Sequence, residues 1–129
     1  MYDEANKEGI RAEVAFSQAM IETGYLQFGG DVKIEQFNFA GMGATGNGAQ
    51  GNSFPDVRTG IRAQIQHLKC YANNDKLNYA LVDPRWSDKL REKAPYVEWL
   101  STPNNPYGTG WAGDPGYAVK LKKIMNNLI

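Results

Sequence analysis

The stretch Glu13-Val14-Ala15-Phe16-Ser17-Gln18-Ala19-Met20-Ile21-Glu22-Thr23-Gly24 constrains this chain most. Its periodicity predicts a helix that is apolar on almost every side, through Val14, Ala15, Phe16, Ala19, Met20 and Ile21. A helix of that kind belongs in the middle of a small domain. It nevertheless ends in a carboxylate, Glu22, with Gly24 just beyond as the expected left-handed cap. The negative end of the helix dipole and the loss of water among apolar neighbours both disfavour the charged form of Glu22. The sequence therefore predicts a raised pKa, which suits a general acid. The alternative is a Glu that swings out to solvent at a frayed helix end.

At 129 residues the chain is expected to form one domain, large enough to bury a core. Lys+Arg and Asp+Glu are equal at 14 each, so no global field favours an anionic polymer. With no basic stripe, no nucleic-acid partner is expected. No apolar run is long enough to span a membrane, so none is expected as a partner. The single cysteine, Cys70, excludes an intrachain disulfide. The chain opens directly into helix-like sequence at Tyr2-Asp3-Glu4-Ala5 without a signal-peptide pattern. The expectation is a monomeric domain excised from a longer parent that carries any export signal.

Around the central helix, Asp3 is a candidate cap for a short first helix ending near Gly9. Residues 31–54 are rich in glycine and turn formers, which predicts a small flexible loop or β-hairpin lobe. Pro55-Asp56 starts a second clear helix, with Asp56 as N-cap and a stripe of Val57, Ile61, Ile65 and Leu68. His67 and Cys70 fall off that stripe and lack the further ligands a metal site requires. A solvated His and a packed Cys are expected. Asp83-Pro84-Arg85-Trp86 predicts a short helical segment that ends at Ala94-Pro95. Asp114-Pro115 predicts the start of a last helix, with Ala118, Leu121, Met125 and Leu128 on its buried face.

One His, one Cys and no elbow-like Ser give no nucleophilic triad, and the ligand count excludes zinc hydrolysis. No metal and no cofactor are expected. Carboxylate chemistry flanked by aromatics remains, and it suits glycoside cleavage.

Three motifs then carry a resemblance. Residues 13–25, Gln36-Phe37-Asn38-Phe39-Ala40-Gly41-Met42, and Gly110-Trp111-Ala112-Gly113-Asp114-Pro115-Gly116-Tyr117-Ala118-Val119-Lys120-Leu121 resemble, in order, motifs of the bacterial glucosaminidases of glycoside hydrolase family 73. The resemblance covers nearly the whole chain. It implies a mainly α (α+β), lysozyme-like domain over residues 1–129, around the central helix. It also implies endo-β-N-acetylglucosaminidase action on the GlcNAc-β-1,4-MurNAc bond of peptidoglycan, in the cell wall outside the cytoplasm.

By the same resemblance Glu22 is the general acid, Tyr117 stands at the cleft, and Asn38 and Phe39 line the site. Tyr117 packing on the core and Asn38 satisfying a turn are the alternatives. Trp111 is a candidate sugar platform, as are Tyr107, Trp99 and Trp86, though each also suits the core. The chain departs from the pattern at the second acid, since Gly43 to Phe54 contains no carboxylate. Asp31, Glu35 and Asp56 flank that gap. Asp56 is better explained as a cap, and the substrate's own 2-acetamido group is a further possibility. A lytic transglycosylase and a wall-binding module that has lost catalysis stand as the rival readings.

Overall fold

The computed structural model describes residues 1–30, 32–44 and 49–128. Four helices dominate it: α1 (Tyr2–Glu8), α2 (Ala12–Thr23), α3 (Val57–Ala72) and α4 (Tyr117–Asn126). Short 3₁₀ turns at Ile34–Gln36, Asp88–Leu90, Val97–Leu100 and Thr102–Asn104 fill the connections. Among the described residues there is no strand, only a single parallel bridge between Ser101 and Ala112. The architecture is mainly helical, in keeping with the expected lysozyme-like class.

α2 lies between α3 and α4, so it is central as its sequence implied. Its buried side is not the greasiest one, however. Phe16 is 39% exposed, whereas Ser17 and Gln18 are fully buried beside Val14, Ala15 and Ala19. The small residues let α3 come close enough for polar pairing. Gln64 Nε2 donates to the Ala15 carbonyl at 2.8 Å and to Gln18 Oε1 at 3.2 Å. Buried amides are tolerated where such partners exist.

The helix ends as expected in left-handed Gly24, φ +58°. Thr23 Oγ1 donates back to the Ala19 carbonyl at 2.6 Å and accepts from Leu26 N at 2.8 Å, fixing the last turn that carries Glu22.

Charge clamps α1 to α3. The buried Glu4 carboxylate binds Arg58 and Arg62, each at 3.0 Å, and Lys69 Nζ donates to buried Glu8 at 2.9 Å. Glu8 also accepts from the Asn78 and Tyr79 amides, so the buried charge keeps its hydrogen bonds. Asp3 does not cap α1. Met1 holds the cap position, and Asp3 lies inside the first turn, where the helix dipole favours a carboxylate.

Asp56 does cap α3, accepting from Thr59 N at 2.7 Å. Val57 of the expected stripe is exposed, while Ile65 and Leu68 are buried. Asp114 caps the turn before α4 by accepting from Gly116 N at 2.8 Å, so α4 begins two residues later than the Asp-Pro pair implied. Ala118 and Leu121 are buried, but Leu128 of the expected face is exposed. The short helix expected from Asp83 is a turn followed by the 3₁₀ turn Asp88–Leu90.

The described part of 31–54 is a loop with one 3₁₀ turn rather than a hairpin. Side chains supply the partners that a strand pair would have given its backbone. Asn38 Nδ2 donates to the Met42 and Asn52 carbonyls at 2.9 and 3.0 Å, and its Oδ1 accepts from Met42 N at 3.1 Å. Gln36 Nε2 donates to the Gln50 carbonyl at 2.8 Å. This loop leans on α3 at Gly60, where an added Cβ would lie 1.8 Å from the Phe37 carbonyl oxygen.

The core has two parts. The larger joins Ala15, Ile65, Leu68, Tyr71, Leu100, Tyr117 and Leu121. The smaller joins Ala40, Met42, Phe54 and Ala63 beneath the loop. Trp111 packs against both, which ties the loop to the helical body.

Candidate active site

A cleft of about 660 Å³ opens between the end of α2, the 40–44 loop, the 109–113 segment and the C-terminal half of α3. Its size is that of a small-ligand site. Glu22, Gly41, His67, Tyr71, Arg85 and Trp111 are among its lining residues.

Three elements place the Glu22 carboxyl. The end of α2 brings it to the cleft. From α4, the Tyr117 hydroxyl donates to Glu22 Oε1 at 3.2 Å. From the loop, Gly41 approaches so closely that an added Cβ would lie 2.8 Å from Glu22 Oε2. Gly41 also has φ +65°, a conformation that glycine adopts without strain. Burial pushes the Glu22 pKa up to about 7, and the Tyr117 hydrogen bond, which favours the charged form, offsets only part of this. Tyr117 is itself buried and its pKa is pushed well above the ordinary phenol value by that burial and by the Glu22 charge, so the hydroxyl stays a donor.

The 109–113 segment is fixed by backbone pairing. Trp111 N donates to the Leu100 carbonyl at 2.7 Å, and Thr102 N donates to the Ala112 carbonyl at 2.8 Å. Gly110 permits this, because an added Cβ would sit 2.8 Å from the Leu100 carbonyl oxygen. Trp111 is thereby held at the cleft, and its Nε1–H donates to the Ala40 carbonyl at 3.1 Å.

Trp111 also meets the His67 ring edge-on at 4.9 Å, and His67 meets Tyr71 edge-on at 5.2 Å. His67 is not the solvated histidine that its place off the apolar stripe suggested. It is buried, and its Nδ1 pairs with Asp83 Oδ2 at 2.8 Å. Cys70 is buried as expected, with its Sγ 3.2 Å from the Ser87 carbonyl.

A profile of the glucosaminidase family, described as mannosyl-glycoprotein endo-β-N-acetylglucosaminidase, matches residues 1–129. The chain belongs to that family. It is a glycoside hydrolase domain of the endo-β-N-acetylglucosaminidase type. It is also 43% identical over 128 residues to an uncharacterized protein of Borreliella burgdorferi (strain ATCC 35210), covering 98% of this chain and 59% of that relative. The chain thus spans somewhat over half of that relative's length. No solved structure matches it.

In this glucosaminidase domain, the residues singled out from sequence separate into two groups. Glu22 and Trp111 line the cleft, and Tyr117 reaches it through Glu22. Asn38 and Phe39 are not among the lining residues. Asn38 is buried and spends its amide on the loop backbone, so it shapes the wall that carries Gly41 and Met42. Phe39 packs edge-on against Phe28 at 6.0 Å.

Trp99 lies between Tyr96 and Tyr107, and Trp86 lies beneath the Arg91 guanidinium; none of these is among the lining residues of the cleft. Asp56 is committed to capping α3, and its hydrogen bond to the Thr59 amide lowers its pKa. Glu35 is exposed on the Ile34–Gln36 turn and does not line the cleft, while Asp31 lies outside the described residues.

Sequence reasoning did not find Tyr71 and Arg85, and it put His67 in solvent rather than at the cleft. His67 and Tyr71 sit four residues apart on one face of α3, and that i, i+4 spacing was the available signal. Among the described residues no group of His, Cys, Asp and Glu could hold a metal, and no helix is long and apolar enough to cross a membrane.

Proposed function

We propose that this domain hydrolyses the GlcNAc-β-1,4-MurNAc bond of peptidoglycan, with Glu22 as the general acid. The observation that carries the reading is a carboxyl with a pKa of about 7, held inside a sugar-sized cleft by Tyr117 and Gly41. Such a group is protonated in a useful fraction at neutral pH and can donate to the leaving glycosidic oxygen. As the C–O bond breaks, that oxygen takes the Glu22 proton. Glu22, now a carboxylate, then accepts a proton from the water that completes the reaction.

Glu22 is the only carboxylate among the described residues that line the cleft. This favours assistance by the substrate's own 2-acetamido oxygen, which attacks the anomeric carbon and is later displaced by water. The same single carboxylate favours, as a second reading, a lytic transglycosylase that cuts the adjoining MurNAc-β-1,4-GlcNAc bond: Glu22 protonates the leaving oxygen, and the muramyl hydroxyl that attacks its own anomeric carbon in place of water returns a proton to Glu22. The domain acts in the cell wall, outside the cytoplasm, as part of a longer protein.

Digestion of purified peptidoglycan, followed by mass spectrometry of the fragments, tests the reading. Reducing GlcNAc ends are expected, together with a loss of about 10²- to 10⁴-fold in Glu22→Gln. Anhydro-muramic ends would establish the transglycosylase instead. Binding to wall without any cleavage by the wild type would leave only a wall-binding module.

A further inference from the structure

Arg85 stands apart from the other arginines of the chain. Arg58 and Arg62 pair with Glu4, Arg11 pairs with Glu13, and Arg91 donates to the Asp75 carbonyl and covers Trp86. Among the described residues, no carboxylate lies within ion-pair distance of Arg85. It is also the only Lys or Arg among the described residues lining the cleft.

Its base is rigid. The Arg85 amide donates to Asp83 Oδ1 at 2.8 Å, while the other oxygen of that buried carboxylate holds His67. The amides of Val82 and Asp83 both donate to Gln66 Oε1, at 2.8 and 3.1 Å. The loop that carries Arg85 is therefore pinned to α3 at three points. A guanidinium without an ion-pair partner among the described residues, on a fixed loop that lines a cleft, has the geometry to take a planar anion.

The guanidinium does not serve the acid. A cation close to Glu22 would pull its pKa down, yet burial and Tyr117 account for the shift there. Arg85 lines the cleft from the loop after α3, whereas Glu22 lines it from the end of α2, so the two side chains reach the cleft from different elements.

We propose that Arg85 recognises a carboxylate of the substrate glycan strand, so that the cleft selects acidic muramyl glycan over neutral amino-sugar polymer. The inference rests on the peptidoglycan reading above and names the group that the cleft reads. The carboxylate has two sources in wall material, the lactyl group of muramic acid where the stem peptide has been removed and the free acids of the stem peptide where it is present. Either one makes the same two parallel N–H···O bonds to the fork.

The test compares wild type, Arg85→Ala and Arg85→Lys on four substrates. These are intact peptidoglycan, peptide-free glycan strands with free lactyl groups, the same strands with carboxyls converted to neutral methylamides, and a soluble GlcNAc oligomer. Circular dichroism and thermal unfolding establish that each variant is folded. For wild type against Arg85→Ala, kcat/KM is expected to differ about 10- to 100-fold on the carboxylate substrate, mainly through KM. The ratio should shrink below about threefold on the methylamide strands. Arg85→Lys should recover part of the loss, because it keeps the charge without the fork.

Loss on peptide-free strands assigns the lactyl group, and loss on intact wall alone assigns the stem peptide. An equal loss on charged and neutral substrates, or no loss on either, overturns the inference while leaving wild-type wall cleavage intact. Absence of wall cleavage by the wild type overturns the underlying reading and the inference with it.

Discussion

The Tyr117 hydroxyl donates to Glu22 Oε1 at 3.2 Å, joining the first turn of α4 to the last turn of α2. This bond stabilises the charged carboxylate, whereas burial of the same carboxyl destabilises it more. The pKa of about 7 is the outcome of that contest. Removing the hydroxyl from Tyr117 leaves the ring in the core and deletes only the weaker effect.

Tyr117→Phe should therefore raise the Glu22 pKa further. The acid must be protonated to act, so activity falls as pH rises through that pKa. The alkaline limb of the kcat/KM profile should sit near pH 7 in the wild type and move to higher pH in Tyr117→Phe. Wall-clearing rates measured from pH 5 to pH 9 check this, and a limb that stays in place would remove Tyr117 from the electrostatics of the site.

The raised pKa also ties stability to pH. The folded-state value of about 7 exceeds the ordinary 4.5, so the folded protein holds a proton that the unfolded chain releases. Stability linked to Glu22 is fully present below 4.5 and is lost as pH rises through about 7. A Gln at this position loses nothing over that range. The stability of Glu22→Gln relative to wild type should grow by about 2–3 kcal/mol between pH 4 and pH 8. Urea unfolding at both pH values measures the change, in which groups common to both proteins cancel.

Gly41→Ala should harm both fold and reaction. The new Cβ meets Glu22 Oε2 at 2.8 Å, and φ +65° disfavours any side chain. A stability loss of about 1–2 kcal/mol is expected, with a fall in kcat/KM larger than that of a distant glycine change. Gly108→Ala is the comparison, since it shares a positive φ but has open space around it.

Local rules made much of this fold legible. Gly24 and Gly9 end their helices in left-handed turns, Asp56 caps α3, and Glu22 stands at the end of a central helix, all as their neighbours in sequence imply. Pairings between distant segments were not legible. His67 was expected in water because it falls off the apolar stripe of α3, whereas Asp83 reaches it from a loop 16 residues on. The polar side of α2 is buried because Gln64 meets Gln18 across 46 residues, and apolar periodicity carries no record of such a pair. A loop or a hairpin was expected between 31 and 54 from the glycine-rich turns, and the described part is the loop. Asn38 and Gln36 satisfy the described loop backbone with their amides.

The central claim is that the Glu22 carboxyl holds a proton near neutral pH within the cleft. A carbon-13 NMR titration of the glutamate side-chain carboxyls tests it most directly, with Glu22→Gln identifying the signal. A midpoint of about 7 is expected, well above the other glutamates. A midpoint near 4.5, the ordinary glutamate value, would contradict the account.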